Sequence, residues 1–557
     1  MLDLHLVCRR RQRADLTGRA WLSGSGRGRE GAAMAALLLL ASLAGSLLAS
    51  AARSPDFCPA GCTCDDETLV GECIDANLDV IPITLNPSIQ RLVLKHNRIK
   101  TVHAAFQFYG LLQYVDLSYN HLVSIPTRSF EAQRNLVELH LEHNKISAVS
   151  NKTFKGLNAL TVLNLRQNFL EELPERAFTS LPKLEQLDLG QNRIASVHPE
   201  AFAGLSQLRV LQLDDNQLRT VPTPAFKLLD CLAELHVGLN AFATLPDDAF
   251  RGLGRLTVLD LSGAGLVNIS EHAFRGLDGL RTLKLADNRL RTVPTKQLAP
   301  LSRLEELTVG QNEFSALEPH AFQGLTNLRV LDVSGAAQLE RVRKGSLADN
   351  LNLETLVLSS NKRLASVEEG ALAGLPNLRH LVLRDNAFVT FPESMTTWPE
   401  LRRVDLAENP LECQCGLLWL KDLLVQRNSS QVLCAAPPHL KERPLKSLSG
   451  DELGCALHDT RQQAIIGALG GSGLALLAVL GLLLYRYRRR VRDALKDYKW
   501  NNRAISRKEH EYQKTFATDD DYIVRAATQQ PAPPQHLSAA GQPPHPQGLK
   551  PIPVTEL

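Results

Sequence analysis

Apolar positions in the middle of this chain recur as L-x-x-L-x-L-x-x-N: Leu136, Leu139, Leu141 and Asn144, then Leu160, Leu163, Leu165 and Asn168, then Leu184, Leu187, Leu189 and Asn192. The Asn-equivalent positions run from 97 to 409, fourteen in all, at intervals of 23 to 25 residues. A second apolar series, Phe106, Phe130, Phe154, Phe178, Phe202, Phe226, Phe250 and Phe274, keeps a spacing of 24 and resumes at Phe322 after Leu298. Two registers locked together predict an α/β-type solenoid with a curved parallel sheet. The L-x-L segment is a short strand whose alternate residues face opposite sides, leucines inward. The Asn amide bonds to backbone where the chain leaves the strand, and the phenylalanines pack beneath the convex side. No coil buries its apolar face alone, so the coils must stack. Fourteen strands at about 4.8 Å give a sheet on the order of 65 Å along its inner arc. That surface is sized for a protein.

Two repeats depart from the pattern, with Ala264 and Ala336 where Asn belongs. Each is expected to lose a rung of the Asn ladder and to change the curvature locally. They lie three repeats apart, as do Asp116, Asp188, Asp260 and Asp332, a spacing that an ancestral three-repeat duplication accounts for without any function.

Two apolar runs lie outside the repeat. Ala35 to Leu48 is short, ends in Ala49-Ser50-Ala51 and has the form of a secretory signal, so residues 1–52 are expected to be leader and signal peptide, with Met34 an alternative start. Residues 464–485 are apolar and uncharged over a length that spans a bilayer. Arg486, Arg488, Arg489, Arg490 and Arg492 follow directly, which by the positive-inside rule places this flank in the cytoplasm. The expectation is a single-pass type I protein of the plasma membrane. Gly467 and Gly471 make a GxxxG spacing, which small residues in ordinary spans also produce.

Charge sharpens the picture. Net charges of +4 over residues 1–52 and +5 over 486–557, against +3 for the whole chain, leave the body acidic by six. A mildly acidic body argues against nucleic acid as its partner, since phosphate binding needs a basic footprint. Hydrophobic residues at 44% exclude disorder throughout.

Eight of the ten cysteines flank the repeats: Cys58, Cys62, Cys64 and Cys73 before the first, and Cys413, Cys415, Cys434 and Cys455 after the last. An open solenoid exposes its core at both ends and needs caps, which disulfides can hold in an oxidising compartment. Sequence alone permits three pairings in each group of four, with zinc as the competing reading. Cys231 aligns with Lys183 and Gln207 of neighbouring repeats and is expected as an unpaired thiol near the surface.

These residues carry a resemblance to extracellular leucine-rich-repeat proteins of the 24-residue kind, covering residues 58 to about 456. The run Asn409-Pro410-Leu411-Glu412-Cys413-Gln414-Cys415 with Trp419-Leu420 is similar to that family's C-terminal cap. The resemblance implies disulfides Cys58–Cys64, Cys62–Cys73, Cys413–Cys434 and Cys415–Cys455. The organisation is then an N-terminal cap over 53–74, repeats over 75–409, a C-terminal cap over 410–456, a stalk over 457–463, the span over 464–485 and a cytoplasmic tail over 486–557.

Sequons at Asn151, Asn268 and Asn428 are glycosylation candidates away from the strands. Enzyme signatures are absent: no H-E-x-x-H, no P-loop, no kinase set; Gly26-Arg27-Gly28-Arg29-Glu30-Gly31 matches G-x-G-x-x-G, but no strand precedes it and no βαβ unit follows, so no cofactor is expected. His140 and His236 stand four repeats apart, roughly 19 Å, too far to share a metal ion. The binding surface is expected on the concave face, at the outward positions between paired leucines: Asp116, His140, Asn164, Asp188, Gln212, His236 and Asp260. A merely solvated sheet face would show the same pattern.

The Pro-rich tail reads as disordered. Its last residues, Thr555, Glu556 and Leu557, have the form of a ligand for a PDZ-domain scaffold, and Tyr522 is a phosphorylation candidate. Architecture and tail together resemble the insect tartan and capricious group of recognition proteins. That resemblance implies cell adhesion and recognition, as in axon targeting and boundary formation, through an extracellular or cell-surface protein ligand or a second copy of the chain. The other reading is a sensor of soluble or microbial ligands that signals through a co-receptor.

Overall fold

The computed structural model describes residues 58–427 except 103, then 431–455, and 460–496 except 489, 491 and 494. The expected signal segment, Asn428, Tyr522 and residues 555–557 lie outside the described residues. The chain forms two compact units that divide after Ala456.

The first unit is a parallel-sheet solenoid. Its main sheet has sixteen strands. The first two, Thr63–Asp65 and Val70–Glu72, form an antiparallel hairpin in the N-terminal cap, and the second pairs parallel with Arg91–Val93 of the first repeat. Thirteen further repeat strands follow in parallel, from Tyr114–Asp116 to Arg403–Asp405. The cross-strand register is constant: Leu139 lies opposite Leu163, then Leu187, Leu211 and Leu235, all buried. One apolar core runs unbroken from Cys73 to Leu453, so both caps share it with the repeats.

A full rung of the Asn ladder has four bonds, whereas the Asn361 side chain only accepts, from the Ala336 N–H, and its Nδ2 has no partner. Asn168 Nδ2 donates to the carbonyls of Leu141 (2.9 Å), Leu165 (3.1 Å) and Arg166 (3.3 Å), while its Oδ1 accepts the Ile146 N–H at 3.0 Å. The same four bonds recur at Asn120, Asn144, Asn192, Asn216 and Asn288. The residue before each Asn is left-handed, as at Gln167 (φ 53°) and Gln191 (φ 52°), which lets successive carbonyls converge on one amide.

At Ala264 the rung is replaced. The Phe242 N–H, which an Asn side chain would have received, donates to the Ala264 carbonyl at 3.0 Å. The residues before Ala264 and Ala336 are Gly263 (φ 66°) and Gly335 (φ 72°), where the left-handed backbone is free of steric strain. The sheet register passes through both repeats without a shift, so the missing amides leave the strand ladder intact.

Opposite the sheet, the phenylalanines stack in a spine, with ring centroids 6.0 Å apart at Phe154 and Phe178, 6.3 Å at Phe178 and Phe202, and 6.4 Å at Phe202 and Phe226. Strands in a sheet lie only about 4.8 Å apart. The wider spacing on the Phe side bends the stack, and the sheet becomes its concave face.

In the caps, the disulfides are Cys58–Cys64, Cys62–Cys73, Cys413–Cys434 and Cys415–Cys455. The C-terminal cap lays helix Leu418–Arg427 over the last coil, with Trp419 5.1 Å from Trp398. Cys231 differs from expectation: it is buried and disulfide-bonded. The second unit contains helix Thr460–Arg486, which extends into the stretch expected as stalk. Its segment Gly467–Arg486 is long and apolar enough to cross a membrane, consistent with a single-pass membrane protein.

Asn168→Ala should cost roughly 2–3 kcal/mol, because it strands a buried N–H and buried carbonyls, and it should speed hydrogen exchange at the Ile146 amide. Adding Gln167→Gly copies the natural Gly263-Ala264 pair and should restore about 1 kcal/mol by removing left-handed strain. Urea unfolding and amide exchange check both; an Asn168→Ala protein as stable as the parent would refute the role of the rung.

Candidate functional site

Ten of the fourteen repeat strands show a half-buried, buried, half-buried pattern, and in every one the middle residue is buried, so the two flanking residues face the concave side. The seven expected binding residues occupy this face but do not behave alike. Asp116 is only 8% exposed, and its Oδ1 accepts the Ser118 N–H at 2.8 Å. Asn164, Asp188 and Asp260 make the same clamp to the N–H two residues on, at 2.9, 2.8 and 3.0 Å. Asp332 does so with Ser334 at 2.9 Å. The three-repeat Asp series therefore fixes the chain as it leaves the strand. His140, Gln212 and His236 are half-buried members of the row.

Two charge clusters organise the middle of the face. Arg166 donates to both oxygens of Asp214, at 3.2 and 2.7 Å, and to Asp188 at 3.5 Å, so one guanidinium spans two repeats. Gly190 makes room for it, since a Cβ there would run into the guanidinium. Hydrogen bonding to Asp214 raises the Arg166 pKa, while burial pushes the Asp188 carboxyl above its ordinary range. In the second cluster, Asp260 lies 3.7 Å from both His236 Nδ1 and Lys284 Nζ. Burial opposes its ionisation, but hydrogen bonds from His236 and Ser262 and the Lys284 charge outweigh it and bring the carboxyl to about 2. A concave pocket of about 420 Å³ lies between the clusters, lined by Arg166, Gln212, Asp214, His236, Asp260 and Ser262.

Further toward the N-terminus, His140 sits between Glu138 (3.5 Å) and Glu142 (3.7 Å), with the Tyr114 ring 5.2 Å away. Burial pushes the Glu142 carboxyl up. Sequence reasoning missed Arg166, Asp214 and Glu142 because it took only the residue between paired leucines. The position after the second leucine obeys the same alternation and would have found them. Among the described residues no group of His, Cys, Asp and Glu could hold a metal ion. The face offers hydrogen bonds and charge to a partner. Asn151 and Asn268 are both exposed, Asn268 on the short strand Asn268–Ile269.

A stack of parallel coils with Asn rungs and cysteine caps defines a leucine-rich-repeat protein of the ectodomain type. Residues 110–411 match the leucine rich repeat family in eight overlapping stretches, and residues 431–456 match the leucine rich repeat C-terminal domain. The first match spans more than half of the chain, which belongs to the leucine-rich-repeat family. The chain is 40% identical to human lumican over 72 residues, 13% of this chain and 20% of lumican. It is 34% identical to human reticulon-4 receptor-like 2 over 132 residues, 24% of this chain and 30% of that protein. The chain thus spans less than a third of the length of these relatives. A leucine-rich-repeat protein of Leptospira interrogans shares the fold, with a TM-score of 0.52 at 24% identity over 64% of this chain and 93% of that one. Proteins of this family act through interaction with other molecules, not through catalysis.

The two aspartates should titrate with opposite signs. Folding holds Asp260 below the ordinary carboxylate value of about 3.9, so its ionised form stabilises the fold above about pH 4, and this contribution fades as pH falls toward 2. Asp260→Asn should cost on the order of 2 kcal/mol at pH 7 and little at pH 2. Asp188 is held above its ordinary value, so ionising it at neutral pH opposes folding, and Asp188→Asn should be neutral or stabilising at pH 7. Denaturation curves from pH 2 to 7 check this; parallel curves for the two variants would contradict it.

Proposed function

We propose that this protein is a cell-surface recognition receptor that binds a protein ligand through its concave sheet. The observation that carries the reading is the fourteen-strand face itself, with half-exposed polar side chains around the pocket between Arg166 and Asp260. A ligand meeting that face can pair with Gln212, His236 and the outer edges of charge clusters whose geometry is already set, the condition under which polar interfaces gain specificity. The repeats hold themselves in place, so little ordering cost falls on binding.

Three features support a receptor at the plasma membrane. An apolar helix follows the repeats, a basic flank follows the helix, and a curated relative is a receptor-like protein by name. In this reading the repeats and caps lie outside the cell, the four cap disulfides suit that oxidising side, and Asn151, Asn268 and Asn428 carry glycans. The Thr555-Glu556-Leu557 terminus docks a cytoplasmic PDZ scaffold. Adhesion between cells, in the manner of the tartan and capricious group, is the finer form of the proposal.

Cells displaying the full chain should aggregate with one another or with cells bearing a partner. Gln212→Arg combined with His236→Arg should weaken that binding at least tenfold, about 1.4 kcal/mol, at unchanged surface level, as read by flow cytometry and an aggregation assay. Undiminished aggregation by the double variant would remove the concave face from the proposal. Tight binding of a diffusible ligand without aggregation would replace adhesion by sensing.

A further inference from the structure

Along one edge of the sheet the left-handed residue before each Asn recurs in every repeat, with φ between 51° and 60° wherever it is not glycine. Identical backbone in register brings the side chains of this row into a file. His96 stacks on Tyr119 at 4.4 Å, and Tyr119 on His143 at 3.9 Å. The residues after each Asn, including His121, Lys145 and Phe169, make a second file. Between them runs a groove of about 740 Å³, larger than the concave pocket, with the Asn ladder as its floor.

The groove is built to be occupied along its length, not at a point. Its lining comes from six successive coils, His96 to Asp215, which at the strand spacing is roughly 24 Å, the reach of about seven residues of extended chain. The floor amides at Asn120, Asn144, Asn168 and Asn192 are already bonded to backbone, so recognition falls to the two walls. Stacked rings and the Gln167 and Gln191 amides suit a peptide, which presents both apolar and amide groups.

Charge decides the kind of peptide. On the concave face Arg166 and Lys284 are each paired with an aspartate. Lys145, in the lining, and Lys95 and Arg193, which flank it, have no carboxylate within ion-pair distance among the described residues. Lys95 lies 5.2 Å over the Tyr119 ring and Arg193 4.3 Å over the Phe169 ring. Asp215 is the one acid in the lining. Cations left unpaired in an otherwise acidic body are complementary to an anionic partner. One in the lining and two beside it are too sparse for the dense charge of a sulfated glycan. We propose that this edge groove is a second docking surface, independent of the concave face, for an extended acidic peptide segment of a partner protein.

The test uses the full chain in lipid nanodiscs and a fluorescent ten-residue peptide of alternating Glu and Ser, with its Lys counterpart as control and anisotropy as the readout. The Glu peptide should bind and the Lys peptide should not. Lys145→Glu with Arg193→Glu should weaken binding tenfold or more, and Lys145→Gln with Arg193→Gln, which matches the Glu variant in size but carries no charge, should give a smaller loss. The Gln212→Arg, His236→Arg pair on the concave face should leave it unchanged. The proposal is overturned if the Glu peptide fails to bind, if it binds the charge-reversed variant equally, or if a heparin octasaccharide binds through the same two cations while the peptide does not.

Discussion

Each coil turns back on itself through a left-handed residue, and the asparagine that follows is what holds the turn. A non-glycine residue in that region costs on the order of 1 kcal/mol, and at Gln167 the cost is offset by four bonds to the next side chain, Asn168. The two exceptions support this account. Where alanine replaces asparagine, at 264 and 336, glycine replaces the residue before it, so strain and clamp disappear together. The Asn bonds join each coil to the one before it, while the strand register, which passes unshifted through Ala264 and Ala336, sets which side chains face outward. The concave clusters and the edge groove are both consequences of this one turn.

The leucines, phenylalanines and asparagines were legible because each recurs at a fixed period and each has a single structural use. The exceptions were not. Ala264 reads as a lost rung, and only the path of the backbone shows its carbonyl taking the Phe242 N–H. The Asp series reads as a binding face or a relic of duplication, because sequence does not tell whether a carboxylate faces a partner or its own N–H two residues on. Gln133 and Asn350 replace leucine in the convex row and are fully buried, a substitution that periodicity alone marks as an error. Their amides donate to carbonyls of the preceding coil, Tyr109 and Leu325, so the polar atoms stay inside the core without breaking the stack. The left-handed row was invisible, since its members share a backbone angle and no chemistry: His96, Tyr119, Gln167, Asp215 and Leu239 have little else in common.

The same alternation produces two surfaces of different electrostatic character. On the concave side the charges answer one another: Arg166 reaches two aspartates, and Asp260 is met by His236 and Lys284. Such pairs are partly desolvated and held by packing, so they interact more strongly than exposed pairs and are screened less by salt. A partner there competes with existing bonds and must reproduce their geometry, which favours discrimination over raw affinity. At the edge Arg193 rests on the Phe169 ring and, like Lys145, is exposed, so the charge there is open to screening by salt and would act on an anionic segment from a distance.

A rigid scaffold also explains why polar surfaces suffice. The core is one cluster from Cys73 to Leu453, and both ends are closed by disulfide caps that belong to it. A coil at the middle of such a stack cannot loosen without breaking contacts with both neighbours, and a coil at either end is held by a cap. The side chains at Arg166, Asp214 and Asp260 are therefore positioned before any partner arrives. Binding to such a scaffold spends little on ordering it, and a modest number of hydrogen bonds and charge contacts can yield measurable affinity. A flexible chain with the same composition would have to order its own backbone first, at roughly 1–2 kcal/mol per residue fixed, and the interactions available on this face would not cover that cost.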